Sequence, residues 1–400
     1  MYNFDEIIDR TKTNDLKWNS EITKAMIGCH LEDDTIPMWI ADMDFKCPPC
    51  ILERLKERLE QGILGYCSPR GKYYEAIMTW LKKRHDWEIK KEWVVTSPGV
   101  VPALNVAIRA FTNYGDKVLI QQPVYDPFKE TIRKTGRIPV NNPLILHKNG
   151  TYEMDYKGLE NLLSKEKIKL MILCSPHNPV GRVWKREELQ KLGEICKKYG
   201  VFIISDEIHS DMVYHQYKHI PICKVNETLE QCTMVCTAPS KTFNVAGLKC
   251  SNIIIPNIEY REKFVKTRDE MGLNINSTMA IEVVPAAYCK EGEIWLDEVI
   301  GYIEENVKMV QSFLKERLPM ITMTKPEGTF LLWLDFSKVS EDENEILKLL
   351  NDKAKVAVVP GSWFGEEGRN YIRFNIAYPR SILEKALLNI EQAIKQNRNQ

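Results

Sequence analysis

Four residues of different chemical character each follow a short apolar run of the sequence: Gly99, Asn178, Asp206 and Lys241. Gly99 lies in a turn before a helix-like segment, where free N–H groups and the positive end of the helix dipole would suit a phosphate. The other three provide an amide, a carboxylate and a primary amine. Each alone has an ordinary structural explanation, such as a turn residue, a paired buried acid or a loop lysine. At one edge of a sheet, the set would suit an anionic ligand that reacts with an amine.

The apolar runs before these residues are typical of buried parallel strands, because they are continuous rather than alternating. They cover residues 93–96, 117–121, 168–174, 201–205, 233–237 and 252–255. Segments such as 102–111 and 186–199 lie between them and have helical spacing of apolar residues. This alternation predicts an α/β fold with a mostly parallel sheet that is covered on both faces. In such sheets ligands bind outside the carboxyl ends of the strands, which is where the four residues fall.

The pattern changes near residue 290, which indicates a second domain. A long amphipathic helix is predicted over 294–317. Strand-like runs follow at 329–334, 356–359 and 371–374, with helix-like segments at 343–352 and 380–395. This order favours a smaller α+β domain. We therefore predict an irregular N-terminal segment (1–45) that packs with the small domain, a large ligand-binding domain (46–288) and a C-terminal small domain (289–400).

Composition and charge exclude several classes of protein. Lys and Arg total 55, as do Asp and Glu, so the formal net charge is zero and nucleic-acid binding is not indicated. No uncharged apolar run approaches the ~18 residues of a membrane helix, and no secretory signal is recognisable. The 11 cysteines are an odd number, which predicts reduced thiols in a cytoplasmic protein. The close pair Cys47-Pro-Pro-Cys50 lacks the context of a redox or zinc site, so no metal is expected.

The four residues at the predicted sheet edge match the needs of pyridoxal 5′-phosphate (PLP). The amine forms a Schiff base, the carboxylate keeps the pyridine nitrogen protonated, the amide holds the phenolic oxygen, and the glycine turn holds the phosphate. The sequence contains neither a Walker lysine motif nor a GxGxxG fingerprint, so ATP and NAD lack their usual support.

Three longer motifs extend this match: Ser175-Pro-His-Asn-Pro-Val-Gly-Arg182, Ser205-Asp-Glu-Ile-His209 and Ala238-Pro-Ser-Lys-Thr-Phe-Asn-Val-Ala-Gly247. With the stretches 41–45 and 123–127, they resemble the fold-type I PLP enzymes of the aspartate aminotransferase superfamily. Within it they are similar to the C–S lyase branch, which contains cystathionine β-lyase and cystalysin. The resemblance covers nearly the whole chain. It implies a mostly parallel seven-stranded sheet with helices on both faces, plus a smaller α+β domain.

The resemblance implies roles for the residues around the cofactor. Lys241 would form the Schiff base and later move the Cα proton, and Asp206 would pair with the pyridinium nitrogen. Asn178 would hydrogen-bond the phenolic oxygen, and Tyr125 would stack on the pyridine ring. His209, three residues after Asp206, is expected near the cofactor without a catalytic step.

Further residues are implied for the phosphate. The backbone N–H groups of Val100 and Val101 and the side chain of Ser240 would bind it. Tyr66 would reach the phosphate of a neighbouring subunit, which places it among the catalytic residues and implies a homodimer. Lys249 stands where many aminotransferases have a phosphate-binding arginine, so its contact with the phosphate is left open.

Arg373 would bind the α-carboxylate of the substrate through two parallel hydrogen bonds. The reaction implied is α,β-elimination from an L-cysteine-type amino acid such as L-cystathionine, which yields pyruvate, ammonia and a thiol. An aminotransferase of the same superfamily is the alternative, since it differs only in the fate of the carbanion. A regulatory protein that acts through protein contacts is a third hypothesis. A dicarboxylate substrate would need a second cationic residue in the pocket, for its second carboxylate. No such residue is identifiable in the sequence, which disfavours a substrate of this kind.

Overall fold

The apolar runs form the central sheet of a computed structural model that describes residues 2–398. The sheet has seven strands: β1 (Val94–Ser97), β2 (Lys117–Ile120), β3 (Ile138–Asn141), β4 (Ile168–Cys174), β5 (Phe202–Asp206), β6 (Thr233–Thr237) and β7 (Ser251–Ile254). Their spatial order is β1-β7-β6-β5-β4-β2-β3, and β7 runs antiparallel to its two neighbours while the other pairs are parallel. The predicted α/β fold with a mostly parallel sheet is confirmed.

Both faces of this sheet are buried, which explains why its strands have continuous apolar runs. In β4, Leu170 and Ile172 pack into the core cluster on one face, and Met171 and Leu173 pack into the cluster on the other. The sequence did not indicate β3, because this edge strand is short, contains a proline and is only partly buried.

The register of the parallel strands aligns the residues at their carboxyl ends. Cys174 of β4 lies opposite Asp206 of β5, which lies opposite Cys236 of β6. Asp206 is therefore central on the carboxyl edge, with the loops after β4 and β6 on either side. Those loops carry Asn178 and Lys241, as the strand pattern predicts.

The helices around the sheet include the segments that were predicted to be amphipathic helices. They are Pro49–Glu60, Gly71–His85, Val100–Phe111, Pro127–Lys134, Tyr156–Lys165, Arg186–Tyr199, Glu227–Gln231, Pro239–Thr242, Ile258–Glu270 and Thr278–Ala287. The helix predicted over 186–199 is observed with the same bounds. The helix predicted over 102–111 is observed to begin two residues earlier, directly after Gly99. Within residues 2–398, no helix is long and apolar enough to cross a membrane.

The C-terminal residues form a second, antiparallel sheet. Its strands are β8 (Thr322–Met323), β9 (Leu331–Asp335), β10 (Val359–Pro360) and β11 (Tyr371–Asn375), in the order β8-β9-β11-β10. The helices of this region are Lys290–Arg317, Glu343–Lys348 and Arg380–Arg398. A separate hairpin pairs Ile145–Leu146 with Tyr152–Glu153. The division of the chain at residues 45 and 288 stays a prediction.

The first 45 residues are less irregular than expected. Ser20–Ile27 is a helix, and the side chain of Asn19 accepts a hydrogen bond from its first turn at 3.0 Å. Ile36–Pro37 pairs in parallel with Val356–Ala357. The predicted strand 356–359 is therefore wrong as a single element, since its first half pairs with the N-terminal segment and its second half belongs to β10.

A buried ion-pair network joins the loop after β4 to the C-terminal sheet. The guanidinium of Arg182 donates to Glu327 and to Glu188, each at 2.9 Å. Arg182 is 6% exposed and Glu327 is 8% exposed. Gly181 has a φ of +73°, and a Cβ there would lie 3.2 Å from the Cα of Pro326, so the two loops approach closely only because this residue is glycine.

We predict that Arg182→Met lowers the free energy of unfolding by about 3–5 kcal/mol, because it leaves Glu327 buried without a counterion. Lys198→Met is the matched control, since it breaks the exposed pair between Lys198 and Glu160, whose separation is 2.6 Å. That change should cost less than about 1 kcal/mol. Urea denaturation measures both, and equal losses in the two variants would contradict the role of burial.

Candidate active site

Lys241 sits in the short helix Pro239–Thr242 that follows β6. Its Nζ donates a hydrogen bond to the carbonyl oxygen of Ala41 at 2.7 Å. Burial lowers the pKa of Lys241 to about 8, while the carboxylates of Asp42 and Asp206 oppose that shift. The neutral amine is therefore accessible near neutral pH, as a nucleophile or proton acceptor requires.

Asp206 ends β5 and is buried at the centre of the carboxyl edge. Its carboxylate accepts a hydrogen bond from the backbone N–H of Ile208 at 3.1 Å. Burial raises the pKa of Asp206 to about 7, and the nearby Lys241 opposes the rise. Among the described residues, no cationic side chain lies within 4.0 Å of this carboxylate. It is therefore available to a cation or an N–H donor of a ligand.

A cavity of about 370 Å³ opens between these two side chains and the start of helix Val100–Phe111. Gly99 precedes that helix with a φ of 152°, and no side chain caps the helix start. Its first N–H groups form an anion-binding position. The same cavity is lined by the other residues that the resemblance places around a cofactor, namely Val100, Val101, Tyr125, Asn178, His209, Ser240 and Lys249.

His209 provides an independent sign that this cavity receives a ligand. The residue is buried, and its Nδ1 has no hydrogen-bond partner within residues 2–398. Burial lowers the pKa of His209 to about 3, so the ring is neutral. A buried polar atom without a partner is expected where a ligand completes the hydrogen bonds. A helix start, an unpaired carboxylate, an amine and this ring together fit PLP.

Arg373 lies on β11 and is 6% exposed. One Nη donates to the carbonyl oxygen of Trp39 at 2.7 Å, and the other is 3.5 Å from Oδ1 of Asn178. Its Nε lacks a partner in the described part of the chain. Burial lowers the pKa of Arg373 to about 10. Because no carboxylate of residues 2–398 pairs with this guanidinium, it forms a binding position for an anion.

A second cavity of about 420 Å³ adjoins the first, and Arg373 lies in its wall. Ala41, Tyr125 and Lys241 line both cavities. A small amino acid in the second cavity could therefore place its carboxylate at Arg373 and its amine toward Lys241.

Comparison with known proteins identifies the family of the chain. A family model described as aminotransferase class I and II matches residues 33–390. The chain belongs to this family. Cystathionine beta-lyase PatB from Bacillus subtilis (strain 168) is 43% identical over 392 residues, which cover 98% of this chain and 100% of that protein.

Two solved structures support the same assignment. A PLP-bound putative aminotransferase from Clostridium difficile 630 has a TM-score of 0.94 at 43% identity and covers 98% of this chain and 100% of its own. Cystalysin from Treponema denticola, which contains a pyridoxal 5′-phosphate cofactor, has a TM-score of 0.94 at 37% identity and covers 99% of both chains. The resemblance to fold-type I PLP enzymes is confirmed.

In this aminotransferase-family chain, the segment 39–45 supplies the carbonyl groups that hold both cations. Asn375 fixes it from β11, since its Nδ2 donates to the carbonyl oxygens of Ile40 and Asp42, each at 2.7 Å. Asn244 fixes its other end, with Nδ2 donating to the carbonyl oxygens of Met43 at 2.9 Å and of Phe45 at 2.8 Å. Neither amide was predicted from the sequence, although Asn375 follows Arg373 by two residues and Asn244 follows Lys241 by three.

A partly buried charge cluster anchors this segment to the N-terminal residues. Arg10 pairs with Asp42 and with Asp44, each at 3.0 Å, and Lys17 pairs with Asp42 at 3.0 Å and also with Asp44. Lys17 is fully buried. Asp42 favours the charged form of Lys241 through space, so the cluster also affects the pKa of the amine. The motif 41–45 was the only sequence signal for this cluster.

A second hydrogen-bond network supports Lys241 from behind. The hydroxyl of Thr242 donates to the buried carboxylate of Asp211 at 3.1 Å. Asp211 also accepts from Nε1 of Trp80 at 3.1 Å and lies 2.9 Å from Nε2 of His85. The helix that carries Lys241 is therefore fixed to a polar network inside the core.

Tyr66 is not brought to either cavity. Its side chain is 94% exposed and lines a separate surface depression with Arg70. Within one chain, the structure therefore separates Tyr66 from all other predicted site residues.

Cys50 is grouped with side chains other than that of its sequence neighbour Cys47. Cys50 instead approaches Cys289 and Glu291, whose ligand atoms lie within 4.8 Å of one another and of its sulfur. All 11 cysteines are free thiols. This group lies outside both cavities that contain Lys241.

We predict that Asp206→Asn stabilises the PLP-free protein more at pH 8 than at pH 5. The pKa of Asp206 in the folded protein, about 7, is above its ordinary value of 3.8, so stability from this group is lost as pH rises between those values. The Asn variant has no ionisable group at this position and therefore does not lose this stability. Urea denaturation at the two pH values measures the free energy of unfolding of both proteins.

Asp211→Asn is the control of opposite sign. Its hydrogen-bonded partner His85 holds the pKa of Asp211 below the ordinary value in spite of burial. Its contribution is therefore present above the ordinary pKa and lost as pH falls. The control should be less stable than the unchanged protein at pH 8, and identical pH trends in the two variants would refute the assignment.

Proposed function

We propose that the protein is a PLP-dependent carbon–sulfur β-lyase, which converts L-cystathionine or related cysteine-type amino acids to pyruvate, ammonia and a thiol. The observation that carries the proposal is that Lys241 lies at the junction of two cavities, one with the features of a PLP site and one with the unpaired Arg373. The names of the similar proteins, cystathionine beta-lyase and cystalysin, support the reaction.

When bound, PLP supplies an aldehyde for covalent attachment of an amine and an electron sink for the negative charge at Cα. Lys241 would hold the cofactor through its amine, and the freed amine would accept the proton from the substrate Cα. Its lowered pKa supports both roles, because the neutral amine forms at a modest cost. Asp206 would keep a proton on the ring nitrogen, Asn178 would donate to the phenolic oxygen, and Tyr125 would pack against the ring.

We assign the phosphate to the start of helix Val100–Phe111. The N–H groups of Val100 and Val101 and the hydroxyl of Ser240 would bind it, supported by the absence of a side-chain cap at that helix start among the described residues. Lys249 lines the same cavity and adds a positive charge. A lysine there contributes a point charge and lacks the planar fork of the arginine that many relatives have.

We assign the α-carboxylate of the substrate to Arg373. Support comes from its burial without a carboxylate partner within residues 2–398 and from the free Nε. The carbonyl of Trp39 fixes the plane of the guanidinium, so the carboxylate would be bound in one orientation. This orientation determines which Cα bond faces Lys241.

We further propose that two copies of the chain form a homodimer in which Tyr66 of one contributes to the site of the other. Support comes from the exposure of Tyr66 and of three neighbouring apolar side chains, Leu59, Ile63 and Leu64, which are 53%, 73% and 57% exposed.

A cytoplasmic location is proposed on the basis of the free thiols.

An aminotransferase is the second candidate. The solved structure from Clostridium difficile is described as a putative aminotransferase, and Lys241 could return the proton to the cofactor carbon instead of allowing the β-substituent to leave. The two reactions separate by product, because elimination forms pyruvate without a keto-acid acceptor.

We predict that the PLP-loaded protein, given L-cystathionine alone, releases pyruvate and a free thiol continuously. Lys241→Ala should abolish this release, because the proton acceptor at Cα is lost, and should also abolish the visible absorbance that borohydride reduction removes. Coupled lactate dehydrogenase and a thiol reagent measure the products. A single turnover without pyruvate, in which the cofactor is converted to its amine form, would instead favour the aminotransferase.

We predict that Arg373→Ala raises KM for the amino-acid substrate by about 10- to 100-fold, because charge-assisted hydrogen bonds to the carboxylate are lost. Arg373→Lys should be intermediate, since it keeps the charge and loses the fork. Steady-state kinetics at equal cofactor occupancy measures both. An unchanged KM in the Ala variant would remove Arg373 from the substrate site.

A further inference from the structure

Two half-buried thiols, Cys50 and Cys289, meet in the surface depression that lies outside both cavities with Lys241. Their sulfurs and a carboxylate oxygen of Glu291 lie within 4.8 Å of one another. The thiol of Cys50 donates a hydrogen bond to the sulfur of Cys289. The depression has a volume of about 1060 Å³, and all three side chains line it. A small molecule can therefore reach both sulfurs.

Both cysteines lie at the start of a helix. Cys50 is in the first turn of helix Pro49–Glu60. Cys289 directly precedes the 28-residue helix Lys290–Arg317, and its sulfur accepts a hydrogen bond from the backbone N–H of Gly292 at 3.4 Å. The positive ends of two helix dipoles therefore converge near the two sulfurs, which favours a thiolate over a thiol.

The neighbouring groups favour ionisation of Cys289 rather than of Cys50. The hydrogen bond from the Cys50 thiol lowers the pKa of Cys289, and the N–H of Gly292 acts in the same direction, whereas burial and the carboxylate of Glu291 oppose them. The carbonyl oxygen of Ala286 at 3.2 Å also opposes them, because it accepts from the protonated thiol. The contact with Cys289, followed by burial, raises the pKa of Cys50. Of the two sulfurs, that of Cys289 is therefore the first nucleophile.

Burial distinguishes this pair from the thiols of the core. Four cysteines at or near the central sheet are buried, and burial raises the pKa of each: Cys174, Cys196, Cys223 and Cys236. Such thiols are inert, since a nucleophilic cysteine must be both ionised and accessible.

A structural zinc ion fits the pair less well than a reaction between its two sulfurs. A closed zinc site needs four protein ligands. Within residues 2–398 the group has three members, and one of them is the exposed Glu291. Two sulfurs in contact, with one of them favoured as a thiolate, are instead the requirement for thiol–disulfide exchange.

We propose that Cys50 and Cys289 form a dithiol site that reacts with low-molecular-weight disulfides and closes to an internal disulfide. The Cys289 thiolate attacks one sulfur of the reagent R–S–S–R, whose S–S bond breaks, and one thiolate RS⁻ leaves. Cys50 then loses its proton to solvent and attacks the sulfur of Cys289 in this mixed disulfide, which releases the second RS⁻. The two cysteines lose two electrons, the reagent gains them, and the two RS⁻ ions take up protons as free thiols.

The internal disulfide would join two segments that are far apart in the sequence. Cys50 lies near the start of the predicted large domain (46–288), and Cys289 begins the predicted small domain (289–400). The bond would close a long loop, which restricts the unfolded chain and stabilises the folded one. This site goes beyond the proposed lyase function and does not depend on it.

Bis(2-hydroxyethyl) disulfide, a small uncharged reagent, tests the site in the PLP-loaded full chain without amino-acid substrate. We expect each chain to lose two hydrogens in mass, and non-reducing peptide mapping should find the peptides of Cys50 and Cys289 joined. The thermal midpoint should rise by about 5 °C. Dithiothreitol should reverse both changes.

Cys50→Ser and Cys67→Ser are the matched variants. Cys50→Ser should retain a mixed disulfide on Cys289, because no second thiol displaces it, and should show no rise in thermal midpoint. Cys67 is another half-buried thiol of the same depression but lies outside the group, so Cys67→Ser should still form the internal disulfide. Before treatment, the visible cofactor absorbance of both variants should match that of the unchanged protein. If Cys50→Ser does not fold, the peptide map of the unchanged protein decides alone.

Two results would overturn the site. One is a mixed disulfide that persists on Cys50 or Cys289 of the unchanged protein without a bond between them. The other is that both thiols stay unmodified in the folded protein and react only after urea is added. Failure of the lyase proposal is measured separately, by the absence of pyruvate release from L-cystathionine in the untreated protein.

Discussion

Two buried cations, Lys241 and Arg373, are held by backbone carbonyl groups instead of carboxylates, and the functional architecture depends on this. A carbonyl orients a cation through a partial charge and leaves most of its positive charge unbalanced. Elsewhere in the molecule the opposite arrangement holds, since Arg182 and Lys17 are buried against full negative charges. Buried ion pairs therefore serve structure, and carbonyl-held cations remain available to ligands.

This arrangement requires that the segment 39–45 be rigid, because it carries the carbonyl groups. The amides of Asn375 and Asn244 fix it from two sides. They come from β11 and from the loop after Lys241, so the two elements that carry the cations also fix the segment that holds them. Displacement of β11, of the loop after Lys241 or of the segment 39–45 would change the distances from both cations to their carbonyl oxygens. The polar network of Asp211 restrains the helix that carries Lys241, through the hydroxyl of Thr242.

The residues at the carboxyl edge of the sheet could be predicted from the sequence, but the contacts that hold their side chains in place could not. Asp206, Asn178 and Lys241 follow buried strands, so the topology of a parallel sheet alone places them together. Arg373 lies in another sheet, and only the resemblance associated it with the site. Carbonyl oxygens have no sequence signature, which is why the roles of Trp39 and Ala41 were missed. Tyr66 acts, in the prediction, on a second chain, and no pattern within one chain can place it.

The charge cluster of Arg10, Lys17, Asp42 and Asp44 has a consequence for where the functional unit begins. By sequence pattern, the alternation of strands and helices begins after residue 45, and the preceding residues were expected to be an irregular segment that packs with the small domain. Yet Arg10 and Lys17 of that segment pair with Asp42 and Asp44, and Asp42 acts through space on the amine of Lys241. A shortened protein that begins at Ser20 would retain every residue of both cavities except Leu16, but would remove the two cations that pair with Asp42 and with the buried Asp44. The minimal catalytic unit of this chain is therefore longer than its domain pattern indicates.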